Sequence, residues 1–214
     1  MKKSSWVLKS ILGEILGDFL TFLTKKEYTP IIRLNTEIFI GYAKRREADY
    51  FVRCKIEGEG EEHIHIEFIE YNKPEFPIRM LTYFIGLHRK YNVPIRQLVL
   101  YYGTLPPKFL TELKIEDVEY KYTLIDLGKI KAEDIIKAKK YSLYPLFAFI
   151  DREGRKNPEK YLEKCITGLY QIPGDVKNRK AVIEKTEMLL KWEFGSMLFD
   201  KIFEKHAWET FYSF

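Results

Sequence analysis

The stretch from residue 48 to residue 83 constrains the fold more than any other part of the chain. Residues 49–56 and 63–71 alternate between apolar and polar side chains, which is the period-two pattern of β-strands. The segment between them, Glu-Gly-Glu-Gly-Glu-Glu, supplies glycines for the positive φ of a turn. Pro77 then favours the first turn of a helix that runs to Tyr91. We therefore predict a β-hairpin that leads into a helix.

Each of these two strands contains a carboxylate that requires an explanation. Asp49 begins the first strand, and Glu67 lies among apolar residues of the second. Two buried carboxylates that converge make an oxygen-rich site for a hard divalent cation, which can activate water and neutralise charge on a phosphodiester. In the structural alternative, Asp49 caps a turn and Glu67 faces solvent or pairs with Arg53 or Lys55. The hairpin register, which the sequence leaves open, decides whether the two carboxylates meet.

Four segments that follow one another along the chain carry a family resemblance. They are Arg45-Arg46-Glu47-Ala48-Asp49-Tyr50, His65-Ile66-Glu67-Phe68, Pro77-Ile78-Arg79-Met80-Leu81-Thr82-Tyr83, and Pro94 with the strand Leu98-Val99-Leu100-Tyr101-Tyr102-Gly103. In this order they resemble the recombination-promoting nuclease/putative transposase family of the PD-(D/E)XK nuclease-like superfamily. The resemblance runs from about Leu8 to Ile150, and more loosely through residues 156–192.

The resemblance implies a fold, a cofactor and an activity. The fold is a restriction-endonuclease-like αβββαβ core, and the metal ligands are Asp49 and Glu67. The implied cofactor is Mg²⁺, with Mn²⁺ or Ca²⁺ as alternatives. The implied activity is that of a DNA endonuclease that hydrolyses phosphodiester bonds in recombination or mobile-element movement. The alternative function is a catalytically impaired nuclease-fold module that binds DNA or protein.

One position departs from the superfamily pattern. A Lys or Gln two residues after the Glu helps to position or activate the attacking water in that superfamily, but this chain has Ile69. Candidates for a substitute are Lys73, if the strand continues to it, and Arg79 or Tyr83 on the following helix. The superfamily also commonly carries a glutamate on its first helix, a role that the resemblance gives to Glu14.

Basic residues before the hairpin are the candidate contacts to DNA. Lys44, Arg45 and Arg46 lie next to Asp49 in the sequence, and we expect them to contact backbone phosphates at the rim of the site. The alternative is a solvated charged run. Lys and Arg total 36 against 31 for Asp and Glu, a net charge of +5 that is compatible with a polyanionic partner without requiring one.

The remaining patterns predict an α/β (α+β) protein with a mixed central sheet flanked by helices. Predicted helices span residues 7–23, 77–91, 131–140, 158–170 and 176–206, and further strands span 37–42, 98–102 and 120–127. Residues 144–150 are apolar, and we expect them to pack under the sheet. The charged segment 151–157 is the best linker. It divides the chain into a nuclease-like domain, 1–150, and a C-terminal helical extension, 151–214, packed on the core.

Three further expectations concern the protein's surroundings. Cys54 and Cys165 are too few for a disulfide framework, so we expect a reducing cytoplasm. No uncharged apolar run reaches about 18 residues, so no membrane span is expected. The C-terminus is rich in aromatic residues that require burial, and a homodimer through the C-terminal helix would provide it.

Overall fold

A computed structural model describes residues 3–40 and 44–212, apart from the side chains of residues 3–5, 30, 40, 44, 45 and 206–212. The chain divides into two compact units, Met1–Asp126 and Leu127–Phe214. These units are regions of dense internal contacts. The domain boundary between residues 150 and 151 stays a prediction.

The first unit contains a mixed β-sheet and two long helices. Its elements are α1 (Lys3–Thr24), β1 (Tyr28–Arg33), β2 (Glu37–Ile40), β3 (Lys44–Glu47), β4 (Tyr50–Ile56), β5 (Gly60–Ile69), α2 (Phe76–Tyr91), β6 (Arg96–Tyr101), β7 (Glu112–Ile115), β8 (Val118–Lys121) and β9 (Thr123–Asp126). Among the described residues, the main sheet has the strand order β1-β4-β5-β6-β9. Strand β4 is antiparallel to β1 and β5, whereas β6 is parallel to β5 and β9. The predicted α/β class, with a mixed central sheet and flanking helices, is confirmed.

Helix α2 covers the part of the sheet that carries Glu67. Its buried residues Phe76, Met80, Tyr83 and Leu87 recur at intervals of three and four, so they form one apolar face. Phe76 and Met80 pack in a core cluster that also contains Ile69 of β5. Helix α2 therefore lies against the C-terminal end of β5, where Glu67 and Ile69 are found.

The predicted hairpin is confirmed, but the first core strand is β1 and not the segment 37–42. Strand β2 pairs only with β3, in a separate two-stranded sheet of the described chain, and residues 41–43 lie outside the described residues. The β1 segment contains Pro30, which lacks the N–H of a ladder donor and therefore weakens a strand assignment from sequence. Proline is tolerated on edge strands, and β1 is an edge strand of the sheet.

The second unit is helical. It contains α3 (Ala132–Lys137), α4 (Pro158–Tyr170), α5 (Arg179–Phe194), α6 (Ser196–Tyr212) and the 3-10 helices Leu127–Lys129, Tyr141–Ala148 and Gly154–Lys156. The single helix predicted over residues 176–206 is wrong, because Gly195 at φ 90° ends α5 and separates it from α6. The proposed packing of residues 144–150 under the sheet stays a prediction. No helix in the described chain has the length and apolar character to cross a membrane.

Candidate functional site

Reciprocal hydrogen bonds bring Asp49 and Glu67 to the same end of the β4–β5 pair. The register places Tyr50 opposite Ile66. One residue before β4, the Asp49 N–H donates to Glu67 Oε1 at 2.8 Å, and the Phe68 N–H donates to Asp49 Oδ2 at 2.9 Å. Each carboxylate therefore accepts a backbone hydrogen bond from the segment that carries the other carboxylate.

Glu67 is fully buried and has charged and polar partners. Arg79 Nη2 donates to Glu67 Oε2 at 2.8 Å, and His65 Nε2 lies 3.2 Å from Glu67 Oε1. The side chains of Glu67 and His65 have no exposed surface. The expectation that Glu67 faces solvent or pairs with Arg53 or Lys55 is therefore wrong, because α2 covers the carboxylate and supplies Arg79.

A hydrogen-bonded chain beneath the carboxylates fixes the tautomer of His65. Gln97 Nε2 donates to the Met80 carbonyl at 3.1 Å, which identifies the amide nitrogen by its acceptor. The same nitrogen lies 2.7 Å from His65 Nδ1, so Nδ1 accepts and Nε2 carries the proton that His65 donates to Glu67. The Tyr120 hydroxyl donates to Gln97 Oε1 and completes the chain. The sequence pattern did not predict the roles of Gln97 and Tyr120, because they come from distant segments.

Lys9 contacts the carboxylate pair directly, although no motif in the sequence pointed to it. Its ammonium group donates to Asp49 Oδ1, and the Tyr50 hydroxyl donates to the Lys9 carbonyl at 2.6 Å, which holds α1 beside the start of β4. Lys9 Nζ also lies 5.9 Å from the centre of the Phe68 ring. In the sequence, Lys9 is a charged residue within the mainly apolar first helix, directly after Leu8. In the structure, Leu8 is buried.

The environment of Asp49 disfavours its charge. Burial raises the pKa of the Asp49 carboxyl, and the neighbouring charge of Glu67 raises it further. The ammonium group of Lys9 and the Phe68 N–H lower the pKa without cancelling the increase. The ionised form of Asp49 is therefore disfavoured in the folded protein, even with the ammonium group of Lys9 beside it.

Ile69 cannot take a chemical role, and Lys73 does not extend the strand face. Ile69 is 5% exposed and packs with Phe76 and Met80 in the apolar cluster. Strand β5 ends at Ile69, so the premise that the strand continues to Lys73 is wrong. Exposed Lys73 instead lines a cleft that also contains Arg79.

Arg79 and Tyr83 lie together at the site. Arg79 Nη2 is 3.3 Å from the Tyr83 hydroxyl, which donates to the Glu47 carbonyl at 3.1 Å. Burial raises the pKa of Tyr83, and the charge of Glu67 adds to the increase. Tyr83 is therefore a neutral hydrogen-bonding group that orients Arg79 toward Glu67.

Glu14 and the basic residues 44–46 are the remaining candidates from the sequence. Glu14 lies five residues after Lys9 on α1, about 140° around the helix, and its side chain is exposed. Its assignment to the site stays a prediction. The side chains of Lys44 and Arg45 lie outside the described residues, whereas Arg46 lines the same cleft as Arg79.

No larger metal-ligand cluster was found in the part of the chain that the structure describes. No three His, Cys, Asp or Glu side chains there form a group that could hold a metal ion. Asp49 and Glu67 therefore do not belong to a larger cluster of potential ligands among the described residues. Comparison with known proteins gave no further constraint, since no protein-family model, curated protein or solved structure matches the chain.

Proposed function

We propose that this protein is a metal-dependent DNA endonuclease in which Asp49 and Glu67 hold the metal. The observation that carries the proposal is the reciprocal hydrogen bonding that brings both carboxylates to the end of the β4–β5 pair. The order α1, β1, β4, β5, α2, β6 supports a restriction-endonuclease-like αβββαβ core. A role in recombination or mobile-element movement, in the cytoplasm, belongs to the same proposal.

The donor chemistry of the pair fits Mg²⁺, with Mn²⁺ or Ca²⁺ as alternatives. A carboxylate has about four lone-pair positions, and Asp49 uses one on each oxygen, for Lys9 and for the Phe68 N–H. Glu67 uses two on Oε1 and one on Oε2. Within the described residues, both carboxylates therefore keep at least one lone pair without a hydrogen-bond donor. Mg²⁺ is usually bound by one or two carboxylates and keeps several waters.

Hydrogen bonds within the protein orient the carboxylate oxygens of Asp49 and Glu67. His65 and the Asp49 N–H orient Glu67 Oε1, while Lys9 and the Phe68 N–H orient the two oxygens of Asp49. A divalent cation held there would activate water and neutralise charge on the phosphodiester. Because Lys9 and Arg79 already neutralise the carboxylates, the cation must compete with these two side chains.

Lys9 is the best substitute for the lysine that is missing at position 69. It places an ammonium group in contact with one metal ligand, although it comes from α1 and not from β5. Its side chain is 21% exposed and is therefore not sealed from solvent. Lys9→Met would lower the rate of DNA cleavage, and Lys9→Arg, which keeps the charge, would restore part of it.

A second candidate function is DNA or protein binding without cleavage. The observation in its favour is the burial of Ile69 in an apolar cluster, which leaves β5 without the usual lysine or glutamine. In that case Lys9 and Arg79 would serve as permanent counter-charges for the carboxylates. Homodimer formation through the C-terminal helix is a separate proposal. Among the aromatic residues of this region, Trp192 is 46% exposed but lies on α5, and Phe199 of α6 is buried. The side chains of Trp208, Phe211, Tyr212 and Phe214 lie outside the described residues.

Nicking of supercoiled plasmid separates the two functions. Purified protein, Asp49→Asn and Glu67→Gln would be incubated with plasmid and Mg²⁺ or Mn²⁺, with EDTA as the metal-free control. Matched controls are Asp117→Asn and Glu61→Gln, which neutralise exposed carboxylates outside the site. Endonuclease activity predicts metal-dependent nicking that is lost only in the two site variants. Equal background nicking in all five proteins supports binding without cleavage.

A further inference from the structure

We propose that a cleft beside the carboxylate pair binds a backbone phosphate of the DNA strand. The inference rests on the proposed function, because it takes DNA as the ligand. The cleft has a volume of about 310 Å³, which lies at the low end of the range for ligand pockets and suits a phosphate with its sugar. Its charged and polar lining residues are Arg46, Lys73, Glu75, Arg79 and Thr82.

Three cations from three parts of the fold converge on this cleft. Arg46 comes from β3, Lys73 from the loop after β5, and Arg79 from the first turns of α2. Exposed Glu75 is the acidic side chain that lines the cleft within the described residues. Arg46 and Lys73 form no ion pair with any residue that the structure describes. The cleft therefore has an excess of positive charge, which a phosphate would neutralise.

Arg79 joins the cleft to the carboxylate pair. Its Nη2 atom contacts Glu67 Oε2 at 2.8 Å and the Tyr83 hydroxyl at 3.3 Å. Its Nε atom has no hydrogen-bond partner in the described chain. A guanidinium group carries five N–H donors in a planar fork that suits phosphate oxygens. A phosphate bound to Arg79 in the cleft would thus lie close to the proposed metal ligands, because the same guanidinium group contacts Glu67.

The experiment measures how DNA affinity depends on salt, in EDTA, so that cleavage plays no part. Fluorescence anisotropy would give the affinity for a labelled short duplex between about 50 and 200 mM salt. The cleft variant is Arg46→Ala with Lys73→Ala. The control variant is Lys55→Ala with Arg89→Ala, which removes the same charge from exposed positions outside the cleft.

The expected result is a change in slope that is confined to the cleft variant. The slope of log affinity against log salt is negative, and loss of one phosphate contact reduces its magnitude by about 0.9 for duplex DNA. We expect this change in the cleft variant, and an unchanged slope in the control variant. Equal changes in both variants, or no change in either, would overturn the proposal.

A second measurement alters the DNA. Neutral methylphosphonates would replace one DNA phosphate at a time, and we expect one position whose replacement weakens binding by unaltered protein but not by the cleft variant. A scan without such a position would overturn the proposal.

If the unaltered protein nicks plasmid but the cleft tests fail, only the phosphate site is wrong. If the cleft tests succeed but metal-dependent nicking is absent, only the endonuclease proposal is wrong.

Discussion

At the scale of single residues, the site balances two carboxylates against two cations. Lys9 contacts Asp49, and Arg79 contacts Glu67. The Asp49 and Glu67 side chains are 14% and 0% exposed, so neither charge is well solvated by bulk water. Lys9 and Arg79 supply the counter-charges of the two carboxylates, and the proposed metal would have to compete with them.

The pairing of Arg79 with Glu67 predicts a large stability effect. Arg79→Met keeps an apolar stem but leaves the buried Glu67 carboxylate without its guanidinium partner. Loss of one partner of a buried ion pair typically costs about 3–5 kcal/mol, and we expect about 3 kcal/mol because the Arg79 side chain is 34% exposed. Urea unfolding measures this change. Arg89→Met, on the exposed last turn of α2, should change stability by less than about 0.5 kcal/mol. A similar loss in both variants would contradict the prediction.

The raised pKa of Asp49 predicts a specific dependence of stability on pH. The folded protein holds the Asp49 proton more tightly than the unfolded chain, in which the pKa is near its ordinary value of 3.8. The stabilising contribution is therefore fully present below that value and is lost as the pH rises through the raised pKa. We expect the free energy of unfolding of the unaltered protein, relative to Asp49→Asn, to fall across this window and then level off. A difference that increases with pH would show that the pKa is lowered instead.

At the scale of elements, the hairpin and α2 were predictable because their patterns are local. Period-two alternation defines β4 and β5, and Pro77 with a three- and four-residue apolar repeat defines α2. Strand β1 was missed because Pro30 argues against a strand unless its position at the sheet edge is known. The break at Gly195 was missed because a single glycine does not by itself end a helix.

The contact between α2 and β2 gives a prediction at this scale. A Cβ at position 86 would lie 2.6 Å from Ile38 Cδ1 and 2.9 Å from Ile38 Cβ. Alanine favours a helix over glycine by about 1 kcal/mol, but overpacking costs about 1–3 kcal/mol. We expect Gly86→Ala to lower the free energy of unfolding in the unaltered protein, and to be neutral or stabilising beside Ile38→Ala. Urea unfolding of the four proteins measures this coupling. An equal effect of Gly86→Ala in both backgrounds would contradict it.

At the scale of the whole molecule, the sequence pointed to the two carboxylates and to Arg79 and Tyr83, but not to the partners from distant segments. Asp49 and Glu67 were identified from their strands and from a family resemblance, and the hairpin register does bring them together. Lys9 and Gln97 lie far from this hairpin in the sequence, and their contacts depend on how α1 and β6 pack against it. Contacts of this kind are set by tertiary packing, so no local pattern could have predicted them.

The measurement that tests the central claim most directly is a crystal structure of the protein soaked in Mn²⁺, with anomalous scattering used to locate the ion. We predict a single strong anomalous peak from a Mn²⁺ ion that is bound by carboxylate oxygens of both Asp49 and Glu67. Lys9 or Arg79 should then be displaced from its present contact. Ligand distances for Mg²⁺ at the same position would be about 2.0–2.1 Å. A fully soaked crystal in which both ion pairs persist and no peak lies between the two carboxylates would contradict the proposed metal site.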